Sequence, residues 1–246
     1  SYGFALAAGF INVNDRALPV FDSLALWLDA SDLATITKNG SNQVSQWNDK
    51  SGNNKHLIQA TAANQGVYSP IGINSKPGIV FEGVESSKSQ FMSVGSFTGL
   101  TENLEIHIAC KRTVADSAGT LKPILYIEDN TLLRVDSGVV AARTKNTLNY
   151  EPTGWATAAA VGTPFIAGMS YDKVNIAAYV NGNAETPAAR SDDMINDGSS
   201  VNLYLNSFNT IYSDMVYSEV LVFRRKLSAG ERNLVANYLK QKWGIS

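Results

Sequence analysis

Short apolar runs separated by turn-forming residues extend along most of the chain. Within many runs apolar and polar residues alternate, and Gly, Asn, Asp, Ser and Pro stand between the runs, which is typical of a β-sandwich or barrel. This pattern predicts the following strands: Leu24–Leu28, Gln43–Trp47, Gly78–Phe81, Gln90–Val94, Leu104–Arg112, Ile124–Glu128, Leu132–Val135, Val139–Arg143, Pro164–Tyr171, Asn175–Val180, Val201–Leu205 and Met215–Phe223. Asn181-Gly182 predicts a tight turn, because both residues tolerate positive φ.

The end of the chain has the spacing of an α-helix instead. Ser228-Ala229-Gly230-Glu231 matches a capping box, in which the Ser and Glu side chains satisfy each other's backbone N–H groups. Apolar residues then recur at helical spacing and form one stripe: Leu234, Val235, Tyr238 and Leu239. Trp243 continues the stripe and Gly244 is a stop signal. We predict an amphipathic helix over residues 228–243 that packs on the sandwich through this stripe.

Residues 1–23 have no clear hydrophobic period and are predicted to form an arm that precedes a domain of residues 24–246. The arm carries five large apolar side chains: Tyr2, Phe4, Leu6, Phe10 and Ile11. Exposed apolar side chains are unfavourable in water, so we expect the arm to dock on its own domain, on a sister chain or on a larger assembly. Its apolar start is too short to span a bilayer and lacks the basic residues of a signal peptide.

Composition narrows the class of protein. Of the 246 residues 44% are apolar, enough for the core of one large sandwich, while 17% are charged and the net charge is −2. Soluble domains carry roughly 25% charged residues, so this surface is polar but weakly charged, as in extracellular and virion β-proteins. The chain lacks the basic footprint of a nucleic-acid binder. Cys110 is the single cysteine, and its place on one strand face with Ile106 and Ile108 predicts burial.

Several short motifs follow one another along residues 24–246. They are Leu26-Trp27-Leu28-Asp29-Ala30, Trp47-Asn48-Asp49-Lys50-Ser51-Gly52-Asn53, Lys76-Pro77-Gly78-Ile79-Val80-Phe81-Glu82-Gly83, Tyr171-Asp172, Tyr179-Val180-Asn181-Gly182, and Glu219–Phe223 followed by Leu227-Ser228 and Glu231-Arg232. In this order they resemble the laminin-G-like jelly rolls of the concanavalin A-like type, which are common in bacterial surface proteins and phage structural proteins. The resemblance implies an all-β, two-sheet antiparallel jelly-roll sandwich with a C-terminal amphipathic helix. It implies a fold more firmly than a function, because the motifs are largely turn-forming residues such as Asp49, Gly52 and Asn53.

Catalytic patterns are missing from the sequence. Concanavalin A-like glycoside hydrolases carry Glu-x-Asp-x-x-Glu on a strand, and retaining hydrolysis needs two carboxylates roughly 5 Å apart. Glu102 and Glu105 come closest to that motif, but a spacing of three places them on opposite strand faces. The chain also lacks a Gly-x-Ser-x-Gly elbow and a Gly-rich phosphate loop. We predict a protein that is not an enzyme and needs no cofactor.

Two further groups of polar residues bear on metal binding. His56 and His107 are too few for a three-His zinc site, and we expect His107 to be a solvated strand residue and His56 to lie in a polar loop. An acidic stretch offers hard oxygen ligands that could hold calcium: Asp192, Asp193, Asn196 and Asp197. An ordinary solvated loop is the simpler interpretation of that stretch, so no metal site is predicted.

Glu219 is the most unusual carboxylate in the sequence. Strand alternation places it on one face with Tyr217 and Leu221, in a strand that is apolar on both faces. A buried glutamate must be paired or hydrogen-bonded. We expect Glu219 to tie down a neighbouring loop, since no catalytic partner is evident.

Sugar binding needs exposed aromatic rings beside amide and carboxylate groups. Asn149, Tyr150 and Trp155 lie in a polar stretch with Glu151 and are the predicted glycan-binding residues. The alternative is that Trp155 plugs the sandwich edge. Three other tryptophans are expected in the core: Trp27, Trp47 and Trp243.

These observations predict a non-catalytic phage virion protein, a tail, fibre or capsid-decoration subunit on the virion surface. It would display a lectin-like sandwich for glycan or host-surface attachment and bind other virion subunits or sister chains through its arm. The alternative is a secreted bacterial adhesin or carbohydrate-binding module, and a glycan-active enzyme is the third hypothesis. Neither nucleic acid nor a membrane span is expected.

Overall fold

A computed structural model describes residues 17–98, 100, 103–115, 121–128, 131–145, 150–184, 188–189 and 200–246, of which 144–145, 150–158, 184 and 188–189 are described through their backbone. The strands in chain order are β1 Leu24–Asp29, β2 Ile36–Lys38, β3 Val44–Trp47, β4 Leu57–Ile58, β5 Val67–Ile73, β6 Lys76–Phe81, β7 Met92–Phe97, β8 Leu104–Arg112, β9 Leu121–Ile127, β10 Thr131–Asp136, β11 Val139–Lys145, β12 Tyr150–Ala158, β13 Pro164–Tyr171, β14 Asn175–Val180, β15 Asn183–Ala184, β16 Ala188–Ala189, β17 Val201–Leu205, β18 Ser207–Phe208, β19 Ile211–Tyr212 and β20 Met215–Phe223. One α-helix in the described chain, α1 Ala229–Trp243, follows them.

Two antiparallel sheets of nine strands each form the sandwich. The covered sheet, named for the helix on its outer face, has the order β15-β14-β13-β8-β20-β6-β5, with β1 also paired to β20 and β16 to β14. The open sheet has the order β12-β11-β10-β9-β17-β7-β4-β3-β2. A small hairpin, β18-β19, lies beside β9 of the open sheet. The predicted all-β, two-sheet antiparallel sandwich with a C-terminal helix is confirmed.

Strand prediction succeeded where turn-forming or polar residues bound an apolar run. The observed bounds of β8, β13, β14, β17 and β20 are the predicted ones. The long edge strand β5 was missed because Pro70 and Gly72 resemble turn residues, whereas an edge strand tolerates proline and its irregular pairing. The Asn181-Gly182 turn is confirmed, with φ of 54° and 80°.

The main core lies between the sheets. Ile106, Ile108 and Cys110 point into it from β8 and are fully buried, as predicted. Burial raises the pKa of the Cys110 thiol well above its ordinary value. Trp47 is fully buried in the same core, whereas Trp27 lies on the outer face of β1 and is only partly buried.

A second apolar cluster lies between α1 and the covered sheet. The predicted capping box is present, since Ser228 Oγ accepts from Glu231 N and Glu231 accepts from Ser228 N. Val235, Tyr238 and Leu239 are buried against the sheet. Leu234, predicted to pack with them, is 54% exposed. Each helical residue is rotated by about 100° from the last, and Leu234 falls just outside the buried stripe.

The described part of the predicted arm packs on the same chain. Leu18 and Val20 are 2% and 6% exposed and belong to the cluster under α1. The arm residues Tyr2, Phe4, Leu6, Phe10 and Ile11 lie outside the described residues, so their docking stays a prediction. Within the described chain, no helix has the length and apolar character needed to cross a bilayer.

Candidate functional site

The turn after β3 is architectural, as its motif suggested. Asp49 accepts three backbone N–H bonds at 2.8–3.0 Å, from Trp27, Ser51 and Lys55. Gly52 has φ of +89°, which side chains resist, and Asn53 Nδ2 donates to a β1 carbonyl at 2.9 Å. His56 Nδ1 accepts from Asp49 N at 3.0 Å. The turn therefore binds its own backbone and leaves little polar capacity for a ligand.

Glu219 is a fully buried structural anchor between β20 and the helix. Its carboxylate oxygens lie 2.6–2.9 Å from four donor groups, which are Trp27 Nε1, Tyr238 OH, Trp243 Nε1 and Lys242 Nζ. Glu219 was expected to tie down a neighbouring loop. That expectation is wrong about the partner, because the four donor groups belong to strand β1 and helix α1 instead. The capacity of both oxygens is used, as a buried carboxylate requires.

A β-bulge explains why Glu219 does not share a face with Tyr217. The pairing of β20 with β8 shifts register between these two residues, so one extra residue, Ser218, lies in β20. Tyr217 consequently points into the main core, where its hydroxyl donates to the Ile124 carbonyl at 3.1 Å. Glu219 and Leu221 point outward beneath the helix.

Asp29 and Glu219 form a carboxylate pair around one ammonium group. Lys242 Nζ lies 2.8 Å from Asp29 Oδ2 and 2.9 Å from Glu219 Oε2. Burial raises the pKa of Glu219; for Asp29, burial acts in the same direction, but Lys242, Ser31 and Lys50 outweigh it and lower the pKa. Divergent carboxyl pKa values accompany acid–base catalysis in other folds. Here Glu219 is 0% exposed, and both of its oxygens already accept from donor groups of β1 and α1.

A polar cleft of about 600 Å³ opens beside this pair. Its lining includes Asp29, Asp32, Lys50, Lys76 and Lys242. Lys50 Nζ is held 3.0 Å from both Asp29 and Asp32, so most of these charges neutralise one another. The cleft offers a ligand few free charges.

Glu105 and His107 form a second buried polar cluster under the helix. His107 is 0% exposed and its Nε2 lies 2.9 Å from Glu105 Oε1, so the prediction of a solvated His107 is wrong. Its side chain does face away from the main core, but α1 covers that face. Arg232 of α1 donates to both Glu105 oxygens at 2.6 and 2.9 Å, and Leu227 N donates to Oε2 at 2.8 Å.

The outer face of the open sheet carries a different kind of site. Aromatic rings follow one another in series there: Tyr212 to Phe91 at 5.7 Å, Phe91 to Tyr204 at 6.4 Å and Tyr204 to Tyr126 at 5.9 Å between centroids. The first three rings are partly exposed, whereas Tyr126 is buried beneath them. They line a depression of about 260 Å³, close to the lower limit of roughly 300 Å³ for small-molecule sites. We call it the aromatic cleft; its other lining residues are Glu128, Ser207, Asn209 and Thr210.

Strand register creates this ring series. Tyr126 of β9 pairs with Tyr204 of β17, and their rings stack with an interplanar angle of 22°. Their chain neighbours point to the core: Leu125, Ile127, Leu203 and Leu205. Alternation therefore holds both tyrosines on the outer face, with a backbone fixed by the core on the other side.

The β18-β19 hairpin forms one wall of the cleft. Asn206 directs the chain into it with φ of 69°, and its buried amide Nδ2 donates to the carbonyls of Gln90 and Ser213 at 2.8 and 2.7 Å. Asn209 and Thr210 close the hairpin with φ of 46° and 66°. These bonds fix the hairpin relative to Phe91, which follows Gln90 directly.

One carboxylate and one amide lie at the edge of the rings. Asn202 Nδ2 donates to Glu128 Oε2 at 2.6 Å. Burial raises the pKa of the Tyr204 hydroxyl, and the charge of Glu128 adds to that effect. The cleft thus combines partly exposed aromatic surface with a hydrogen-bond acceptor at its rim, an arrangement that can hold a ring-shaped ligand edged with hydroxyl groups.

The sequence did not identify these aromatic residues together, because they come from separate segments of the chain. A signal was present: Tyr126 and Tyr204 each interrupt an apolar strand at an outward position. Of the predicted glycan-binding residues, Tyr150 and Trp155 lie on strand β12 rather than in a loop, and Asn149 lies outside the described residues. Their role stays a prediction.

The described segments contain no recognisable metal site. No group of three or more His, Cys, Asp or Glu residues is placed there to hold a metal ion. The proposed calcium ligands Asp192, Asp193, Asn196 and Asp197 fall outside these segments, so calcium binding also stays untested.

Comparison with known proteins finds structures of similar fold but no matching sequence family. Neither a protein-family model nor a curated relative matches the sequence. Solved structures do match, among them the receptor-binding domain of botulinum neurotoxin C/D mosaic serotype, with TM-score 0.63 and 13% identity over 89% of this chain and 52% of that chain. The ligand-binding domain of botulinum neurotoxin serotype D, solved with N-acetylneuraminic acid, gives TM-score 0.61 and 14% identity over 89% and 51%.

Trypanosoma rangeli sialidase in complex with the inhibitor DANA gives TM-score 0.57 and 12% identity over 94% of this chain and 35% of the sialidase. The chain spans about half the length of the toxin domains and about a third of the sialidase. At such low identity the likeness shows a shared β-sandwich fold, and function has to be argued from this chain's own residues.

Proposed function

We propose that this chain is a non-catalytic glycan-binding sandwich and that the aromatic cleft is its binding site. One observation carries the proposal: Phe91, Tyr204 and Tyr212 present partly exposed rings on the outer face of the open sheet, beside Glu128 and Asn202. A pyranose ring has an apolar face of C–H groups that packs on aromatic rings, and hydroxyl groups at its edge that donate to a carboxylate.

Burial of the acidic pair supports the absence of catalysis. Asp29 and Glu219 lie around one Lys242 ammonium, and Glu219 has no exposed surface. Glycoside hydrolysis requires that both carboxyl groups reach the scissile bond. The aromatic cleft contributes one carboxylate, Glu128, from its described lining.

We also propose that the domain is an adhesive or decoration subunit of a phage virion. Its motifs resemble jelly rolls of phage structural and bacterial surface proteins, and the apolar residues of the arm suit attachment to a larger particle. The second candidate is a secreted bacterial adhesin or carbohydrate-binding module, which would use the same cleft. Mass spectrometry of purified phage particles separates the two contexts.

The binding site is tested by removing one ring. Tyr204→Ala should weaken the strongest glycan hit on an array by at least tenfold, about 1.4 kcal/mol, with little change in melting temperature. Phe21→Ala is the matched control, because Phe21 is 54% exposed beside Trp27 on the covered-sheet side. Binding that persists in Tyr204→Ala, or no binding to any glycan, would overturn the proposal. Release of reducing ends from the bound glycan would overturn its non-catalytic part.

The arm is tested by deleting residues 2–16, which leaves Leu18 and Val20 in the cluster under the helix. The shortened protein should fold and retain glycan binding but fail to join the particle or to oligomerise. Normal assembly of the shortened protein would contradict this role.

A further inference from the structure

We propose that the aromatic cleft selects neutral glycans against acidic ones, and that Glu128 is the residue that determines this specificity. The inference rests on the proposed glycan-binding function and adds the chemical class of the ligand. Several structural neighbours were solved with acidic sugars or their analogues. The residues of this chain point to the opposite preference.

In the described part of the cleft, charge comes from a single residue. Among the described lining residues, Glu128 alone is charged, and the rest are aromatic, hydroxyl or amide side chains. Its partner is the neutral amide of Asn202 at 2.6 Å, and it forms no ion pair with the described residues. Among the described residues, no cation neutralises this negative charge.

The charge also reaches the ring surface on which a sugar would lie. Glu128 and Tyr204 line the same cleft, and the pKa of Tyr204 is raised mainly by burial and further by the charge of Glu128. A second negative charge brought onto the rings would meet the same charge at short range, in a partly desolvated site where repulsion is poorly screened. A neutral sugar instead donates hydroxyl hydrogens to the carboxylate, which forms charge-assisted hydrogen bonds.

The ring geometry favours a flat neutral ligand over a compact cation. The partly exposed rings of Phe91, Tyr204 and Tyr212 lie side by side, 5.7 and 6.4 Å apart between centroids and tilted by 31° and 44°, and Tyr126 is stacked against Tyr204. A cage for a quaternary ammonium group would need ring faces that enclose an open space. Specificity in the cleft therefore combines attraction to the sugar face with repulsion of acidic substituents.

The experiment uses matched hexasaccharides that differ only by oxidation at C6: oligomers of glucose, galactose and mannose, and the corresponding uronates. Isothermal titration with the full chain should give at least tenfold tighter binding of the neutral member of the pair that binds best, with a smaller ratio at high salt. Glu128→Gln keeps an acceptor for Asn202 and should reduce the ratio to threefold or less. Asp22→Asn removes the same charge from an exposed site on the covered side and should leave the ratio unchanged.

A second variant adds the opposite charge and leaves Glu128 in place. Thr210→Lys places an ammonium group on the exposed hairpin tip and should raise uronate affinity at least threefold. Uronates that bind as tightly as the neutral sugars, and lose binding in Tyr204→Ala, would overturn this inference and leave the glycan-binding proposal standing. Failure of every probe, or binding that does not depend on Tyr204, would overturn the proposed function and this inference with it.

Discussion

The outer faces of the two sheets treat acidic residues in opposite ways. On the covered sheet, Glu105 and Glu219 are fully buried under α1, and each oxygen is occupied by a guanidinium, ammonium, indole, phenol, imidazole or backbone donor. On the open sheet, Glu128 is partly exposed beside aromatic rings and accepts, among the described residues, from the amide of Asn202. The same side-chain chemistry therefore supports helix attachment on one face and leaves an acceptor for a ligand on the other.

This difference follows from what covers each face. A buried carboxylate costs free energy unless every oxygen is paired, so the covered sheet needs donors from several elements at once. A partly exposed carboxylate is solvated by water and needs no such set. Substitutions on the two faces should consequently differ in what they change: stability on the covered sheet and binding on the open sheet.

The largest effect is expected at Glu219. Glu219→Gln places an amide NH2 against donor groups of Tyr238, Trp243 and Lys242, and should cost about 3–5 kcal/mol of the free energy of unfolding. Glu128→Gln, the matched change on the open sheet, should cost about 0.5 kcal/mol or less. Urea unfolding of both variants measures the contrast. Equal losses would remove the distinction between the two faces.

Helix packing gives the next effect. Leu239 is fully buried beneath α1, and Leu239→Ala should cost about 2–5 kcal/mol. Leu234 is 54% exposed on the same helix, and Leu234→Ala should change stability by about 0.5 kcal/mol or less. Thermal unfolding of the pair checks the assignment, which fails if Leu234→Ala is the more damaging change.

Acid should weaken the covered face first. Burial raises the pKa of Glu105, but His107 and Arg232 outweigh it and hold the pKa below the ordinary value of 4.5. A carboxylate with a lowered folded-state pKa contributes stability that is present above the unfolded pKa and is lost as pH falls through the folded pKa. Burial raises the pKa of Glu219, so its contribution to stability has the opposite pH dependence. Protonation of Glu219 favours the folded state.

We therefore expect the Glu105 contribution to be intact above pH 4.5 and to decline below it. Chemical unfolding at a series of pH values from 7 to 3, with Glu105→Gln as the comparison, isolates this residue. The variant should be less stable at pH 7 and lose less stability on acidification. An identical pH dependence in both proteins would contradict the assignment.

The smallest effect is expected in the wall of the aromatic cleft. Thr210 is β-branched and has φ of 66°, a conformation that glycine adopts without strain. Thr210→Gly forms an Asn-Gly hairpin turn and should stabilise the fold by about 0.5–1 kcal/mol. A loss of stability would show that the threonine side chain has a role beyond the turn.

Local sequence patterns predicted the strands and the helix cap more successfully than they predicted which residues surround a given side chain. The bounds of β8 and β20 follow from apolar runs that end at polar residues, and the capping box at Ser228 follows from side-chain chemistry within a few residues. For His107, alternation gave the correct face, but whether that face meets water depends on a helix more than a hundred residues later in the chain. For Glu219, the bulge at Ser218 places the side chain on the sheet face opposite to that of Tyr217. A single sequence does not reveal the register between β20 and β8, so this bulge could not be predicted.

The aromatic cleft shows the same limit for function. Tyr126 and Tyr204 were recognisable as outward residues of apolar strands, but their stacking depends on the pairing of β9 with β17. Tyr212 joins them from the β18-β19 hairpin and Phe91 from the residue before β7, and Asn206 holds these two segments together through the Gln90 and Ser213 carbonyls. Trp155 was predicted to bind glycan because a tryptophan beside glycine can be recognised within one segment. A site assembled from four separate segments cannot be recognised in this way.

Cys110 gives the molecule a built-in reporter. The thiol lies in β8 between Phe165 of β13 and Tyr217 of β20, at 0% exposure, and the chain has one cysteine. An alkylating reagent can reach it only when the centre of the covered sheet opens, so its labelling rate follows the deepest opening of the domain and not fraying at the edges. The labelling rate of this one thiol therefore measures the kinetic stability of the domain without an engineered probe.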